Sequence, residues 1–155
     1  MCKTIICIDP GSKISGWAIF KGKKLMAHGT VKCLDVNQRI NKRLYTIFTE
    51  YTKLREHLKK KKITLSAVYL EKLNHQTHYF TLFSSGAIIT AFGDIEVFDD
   101  KIPASQWKKY HGLKGKDKGE PIVKCFISKY PEEVCSSEDE MEAVLMGECI
   151  VNGTN

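Results

Sequence analysis

The sequence predicts an α/β domain with a mixed five-stranded sheet flanked by helices, and three observations carry that expectation. Short apolar or alternating runs at residues 3–9, 15–21 and 24–33 are parted by the turn residues Pro10-Gly11 and Lys21-Gly22-Lys23. A long segment from Val36 then carries apolar residues at three- and four-residue spacing. Beyond it, strand-like and helix-like segments alternate, the order of elements that pack in layers about one sheet. A length of 155 residues predicts a single domain over 1–155.

The first three runs read as consecutive antiparallel strands. From Val36 to Lys61, the residues Ile40, Leu44, Ile47, Phe48, Tyr51, Leu54 and Leu58 line one face of an amphipathic helix. Its lysine-rich end suits the helix dipole. Residues 65–71 form a fourth strand that ends on Glu71. The segment from Thr77 to Phe92 is apolar on several faces (Tyr79, Phe80, Leu82, Phe83, Ile88, Ile89) and includes the small residues Ser84, Ser85 and Gly86. A helix of that kind is expected to offer an apolar face to a second copy of the chain. Ile95 to Phe98 reads as a fifth strand, and a short helix follows from Pro103 to Tyr110. A Gly/Lys loop spans Leu113 to Glu120, before helices at Ile122–Tyr130 and Glu138–Val151.

No apolar run approaches the ~20 residues of a membrane span, so no membrane partner is expected. The chain enters its first strand without a leader-like segment, which leads us to expect a cytoplasmic protein. Cys2, Cys7, Cys33, Cys125, Cys135 and Cys149 form no C-x-x-C pair and no Cys/His quartet. Reduced thiols without a structural metal are therefore the expectation. The net charge of +6 is unevenly spread: six lysines against Asp117 between Lys101 and Lys118, then six acids and no base from Glu132 to Glu142. A polyanion-binding strip beside an acidic metal site accounts for both runs.

The chemistry is expected at the acids. Asp9 and Glu71 close predicted strands, at the sheet edge where open α/β folds bind ligands. Asp139 and Glu142 are three apart on the last helix and share a face. Each has a bland alternative: a turn cap at Asp9, a surface acid at Glu71, and dipole-favouring acids with a Ser137/Glu140 capping box on the last helix. All four together favour hard divalent ions, Mg²⁺ with Mn²⁺ as substitute. Two such ions ~4 Å apart can activate water and stabilise the leaving oxygen of a phosphodiester. Ser12 could face the metal or shape its turn, His75 and His78 lie near Glu71, and Trp107 reads as a core anchor.

Here the residues carry a family likeness. Ile8-Asp9-Pro10-Gly11-Ser12, followed after three residues by Gly16-Trp17, resembles the opening motif of RuvC-like Holliday junction resolvases. Leu70-Glu71-Lys72 resembles that family's second acid, and Asp139-Glu140-Met141-Glu142-Ala143 its terminal D-x-x-D-A helix. Lys108, Lys109, Lys114, Lys116 and Lys118 resemble its basic DNA-binding segment, with Lys118 matching a lysine that contacts scissile phosphates. The Trp-Lys-Lys and Gly-Lys-Asp-Lys details look like the short bacteriophage-encoded branch. The resemblance implies an RNase H-like fold, a homodimer, and catalytic metal ligation by Asp9, Glu71, Asp139 and Glu142. It further implies two Mg²⁺ per active site and paired nicking of branched DNA, especially four-way junctions.

Two positions depart from that pattern: Asn74 stands where bacterial members place an aromatic residue, for which Tyr79 or Phe80 are candidates, and Glu142 stands where Asp is commoner. Two rival classes remain to be weighed. A non-catalytic branched-DNA-binding module would use the lysines but not four acids. An actin-like or sugar-kinase-type enzyme would need a second phosphate loop and an adenosine-binding glycine pair that the chain lacks.

Overall fold

β1 (Thr4–Asp9), β2 (Ile14–Lys21) and β3 (Lys24–Lys32) form an antiparallel meander, in a computed structural model that describes residues 2–33, 37–74 and 78–153. After helix α1 (Ile40–Lys60), strand β4 (Ala67–Lys72) pairs in parallel with β1. Helix α2 (Tyr79–Phe92) leads to β5 (Val97–Pro103), which pairs in parallel with β4. Among the described residues the sheet is five-stranded, in the order β3-β2-β1-β4-β5. Helices α3 (Ala104–Tyr110), α4 (Glu120–Lys129) and α5 (Glu138–Gly153) complete it. This mixed sheet with helices on both faces is an RNase H-like α/β fold.

The central strand explains its own sequence. All six residues of β1 are buried, because helices cover the sheet on both sides. Side chains alternate across it: Ile5 and Cys7 join Phe20, Trp107, Ile122, Phe126 and the α5 residues Ala143 to Met146. Ile6 and Ile8 join Val68, Leu70, Ile47, Tyr51, Ile88 and Phe92 on the opposite face.

Several expectations shift at their ends. β5 begins at Val97 and runs to Pro103, well beyond Phe98. It is an edge strand, so Asp99, Asp100 and Lys101 remain exposed and the apolar signal is lost although the ladder continues. α1 starts at Ile40 and α2 at Tyr79; the earlier starts expected at Val36 and Thr77 lie outside the described residues. α4 begins at Glu120, with proline in its first turn where no backbone donor is needed. None of the six cysteines is in a disulfide. No helix among the described residues is long and apolar enough to cross a membrane.

Candidate active site

Parallel pairing of β1 with β4 puts their carboxyl ends on one edge. Ile8 stands opposite Leu70, so Asp9 and Glu71 follow side by side. Helix α5 brings the other two acids by lying against β1 and β2. That approach depends on Gly16, the ladder partner of Asp9, since a Cβ there would collide with the Asp139 carbonyl. Half of the Ser137/Glu140 capping box forms at the start of α5: Ser137 Oγ accepts from the Glu140 N–H at 3.2 Å, while the Glu140 carboxylate turns to Ser136 and His28.

Asp9, Glu71 and Asp139 are perturbed, with Glu142 among the causes in each case. Burial, then Glu71, Glu142 and Asp139, holds the Asp9 carboxyl well above its ordinary range, and Asp9 shares a side-chain hydrogen bond with Glu142. Burial likewise raises Asp139, with Glu142 and Glu138 adding to it and Lys118 opposing. Glu71 is raised by burial and by Glu142, against the Trp107 indole and the charges of Lys108 and Lys118. Desolvation and like charge both disfavour the ionised state, and a divalent cation would reverse both effects. Glu142 Oε1 is buried and accepts no hydrogen bond, its nearest cation being Lys108 Nζ at 3.4 Å. An all-oxygen donor set with an unsatisfied buried oxygen fits a hard ion of the Mg²⁺ type.

Neighbouring side chains hold this arrangement. Trp107 is fully buried, as its core-anchor reading expects, and its Nε1–H donates to Glu71 Oε1 at 2.8 Å. Beneath Asp9, Ser15 Oγ donates to the Asp9 carbonyl at 3.0 Å and lies 2.6 Å from the Tyr51 hydroxyl, which reaches in from α1. Neither contact was legible from spacing, because the partners lie 36 residues apart.

The lysines divide. Lys109, Lys114, Lys116 and Lys118 are exposed, and Lys118 is near enough to act on both Glu71 and Asp139. Lys108 is instead 3% exposed; its Nζ donates to the Asp117 carbonyl at 2.9 Å and faces Glu142. It therefore lies inside the acidic site and not on the outer strip. The sequence does carry a signal for this: 104, 107, 108 and 111 mark one helical face, and Trp107 fixes that face as the inner one. His78 caps α2, its Nδ1 accepting from the Phe80 N–H at 3.3 Å, while His75 lies outside the described residues. The Ser12 carbonyl accepts from Arg43, whose guanidinium lies 4.8 Å from the Phe80 ring centroid. Asn74 is exposed.

A parallel β1–β4 pair with acids at its carboxyl edge, closed by a helix bearing two more, is set in an RNase H-like fold. No protein-family model and no curated protein matches the sequence. Solved structures do match. The Thermus thermophilus RuvC structure is similar at 18% identity, over 97% of each chain, with a TM-score of 0.68. T. thermophilus RuvC in complex with Holliday junction substrate is similar at 16% identity, over 98% of this chain and 97% of that one, with a TM-score of 0.70. The fowlpox virus Holliday junction resolvase is similar at 15% identity, over 97% of this chain and 99% of that one, with a TM-score of 0.52. At these identities the likeness is one of fold.

Proposed function

We propose that this chain is a divalent-metal-dependent, structure-selective endonuclease that nicks four-way DNA junctions by phosphodiester hydrolysis. The observation that carries the reading is the meeting of Asp9, Glu71, Asp139 and Glu142 at one sheet edge, where burial and neighbouring carboxylates push up Asp9, Glu71 and Asp139. The fold neighbours support the substrate class, since one is described with Holliday junction DNA and another as a Holliday junction resolvase. The Trp107-Lys108-Lys109 and Gly115-Lys116-Asp117-Lys118 details resemble the bacteriophage-encoded branch, and the reading extends to a single domain acting in the cytoplasm.

In this mechanism the four carboxylates would hold two Mg²⁺ ions, for which Mn²⁺ could substitute. When bound, the metals supply a hydroxide-like water and charge stabilisation at the leaving oxygen. Trp107 fixes the orientation of Glu71, and Lys108 that of Glu142. Lys109, Lys114 and Lys116 neutralise backbone phosphates, and Lys118 stands closest to where charge develops. A labelled four-way junction incubated with and without Mg²⁺ tests the reading. Nicks at symmetric positions only with the metal are expected; binding without nicks at any Mg²⁺ or Mn²⁺ concentration would leave a non-catalytic DNA-binding module.

A two-fold junction needs paired cuts, which a homodimer delivers with one site per strand. The face of α2 that carries Tyr79, Leu82 and Phe83, each about half exposed, supports that assembly. Sedimentation of Leu82→Glu should give a folded monomer that no longer makes paired cuts, whereas a wild type that stays monomeric on the junction would remove the dimer.

A further inference from the structure

We propose that His28, Cys135 and Glu140 form a second cation site, suited to zinc or another borderline-soft ion, that ties β3 to the entrance of α5. The site is separate from the acidic quartet and does not depend on the nuclease reading. His28 lies on β3, Cys135 precedes α5 and Glu140 belongs to its first turn. One ligand atom from each residue lies within 4.8 Å of the other two, the trio of this kind found among the described residues.

The distances resemble those of a metal centre. Cys135 Sγ lies 3.7 Å from His28 Nδ1, and Glu140 Oε1 lies 2.6 Å from the same nitrogen. Ligands held about 2.0–2.3 Å from a tetrahedral zinc sit roughly 3.3–3.7 Å from one another. The sulfur–nitrogen edge already has that length, and the nitrogen–oxygen edge needs to open by less than about 1 Å. One nitrogen, one sulfur and one oxygen make a donor set that prefers zinc to the Mg²⁺ suited to the quartet.

Outer hydrogen bonds are arranged to orient these ligands. The far ring nitrogen, His28 Nε2, is 3.0 Å from Glu133 Oε2, the carboxylate–histidine pairing that fixes the tautomer of a metal-binding imidazole. The second oxygen of Glu140 accepts from the Ser136 N–H at 2.7 Å and the Ser136 hydroxyl at 2.9 Å, leaving Oε1 turned toward His28 and Cys135. The His28 and Glu140 side chains are 11% and 5% exposed, while Glu133 is 46% exposed and opens the cluster to solvent. Without a cation, burial together with Glu140 and Glu133 pushes the Cys135 thiol up to about 12, so it stays protonated. Binding would exchange the thiol proton for the ion.

Cobalt(II) titration of the full-length protein under reducing conditions tests the site. Wild type should take up one equivalent with a thiolate-to-cobalt charge-transfer band, displaced by zinc and not by excess Mg²⁺. Cys135→Ser and His28→Gln should each lose the band, and Glu133→Gln should weaken zinc binding about tenfold as an orienting carboxylate would. Glu71→Gln should keep the band, and Cys135→Ser should keep whatever Mg²⁺-dependent cleavage the wild type has. A band that survives in Cys135→Ser, or a wild type that takes up neither ion, overturns the site and leaves a hydrogen-bonded cluster.

Discussion

Glu140 shares one turn of α5 with Asp139 and Glu142, yet it and Asp139 are perturbed in opposite directions. Burial opposes ionisation of Glu140 too, but His28 and the Ser136 donors outweigh it and bring the carboxyl below its usual range. Asp139 has no comparable set of donors, and burial with Glu142 leaves it raised. The fold is stabilised by the first acid and tolerates the second. Gathering four carboxylates at one edge works against folding, which is the pattern our proposed metal site accounts for.

The sharpest way to break this contrast is on activity. Asp9→Asn, Glu71→Gln, Asp139→Asn or Glu142→Gln should each lower junction cleavage roughly 100-fold or more, while gel-shift affinity stays level or tightens. Full nicking by any two of these variants would show that the acidic quartet is incidental to cleavage.

Stability should split the two groups. Glu140→Gln should cost about 1.5–3 kcal/mol, the range for a hydrogen bond to a charged group. Asp9→Asn should instead raise the Tm of the metal-free protein, by roughly 2–4 °C for each kcal/mol of repulsion removed. If chelator-treated samples of both variants shift in the same direction, the distinction fails.

The same contrast has a pH form. Asp9, Glu71 and Asp139 have folded values above their unfolded ones, so between those values the native state holds more protons than the unfolded chain. Stability of the metal-free protein should therefore fall as pH rises from about 5 toward neutrality, in the window above the ordinary carboxylate range. His28, also raised despite its burial because Glu133 and Glu140 bond to it, acts in the same sense. Saturating Mg²⁺ should flatten the carboxylate part; a Tm that climbs with pH in chelator would contradict the assignment. The smallest effect belongs to Trp107→Phe, which keeps the packing and removes the donor to Glu71. Cleavage should slow about tenfold, with a higher Mg²⁺ requirement and little change in DNA affinity.

Much of this was legible along the chain. Asp9 before Pro-Gly, Glu71 at a strand end and the 139/142 pair each carry a local signal; parallel pairing of β1 and β4 joins the first two, and α5 lying on β1 and β2 adds the pair. What stayed hidden was contact between distant residues. Nothing in residues 24–32 announces that His28 meets Cys135 and Glu140, which lie 107 and 112 positions away. Lys108 and Lys109 can be told apart in sequence only by the helical face that Lys108 shares with Trp107, which α3 turns inward. The length of β5 was obscured for a different reason: an exposed edge strand needs no apolar alternation.

Gly16 and Gly147 govern how finely the spacing of the four acids is set. Gly16 lets the backbone of β2 touch the backbone of α5 at Asp139, and one turn past Ala143 a Cβ on Gly147 would strike Phe20 and Cys7. The aperture between the acid on β1 and those on α5 is thus gauged by main-chain thickness, the least compressible spacer a protein has. Longer side chains, such as Glu142 in place of an aspartate, can move a ligand oxygen within that aperture without widening it. A methyl group at position 16 would wedge the jaw itself, driving the acid on β1 away from those on α5 and out of reach of the ions we propose they share.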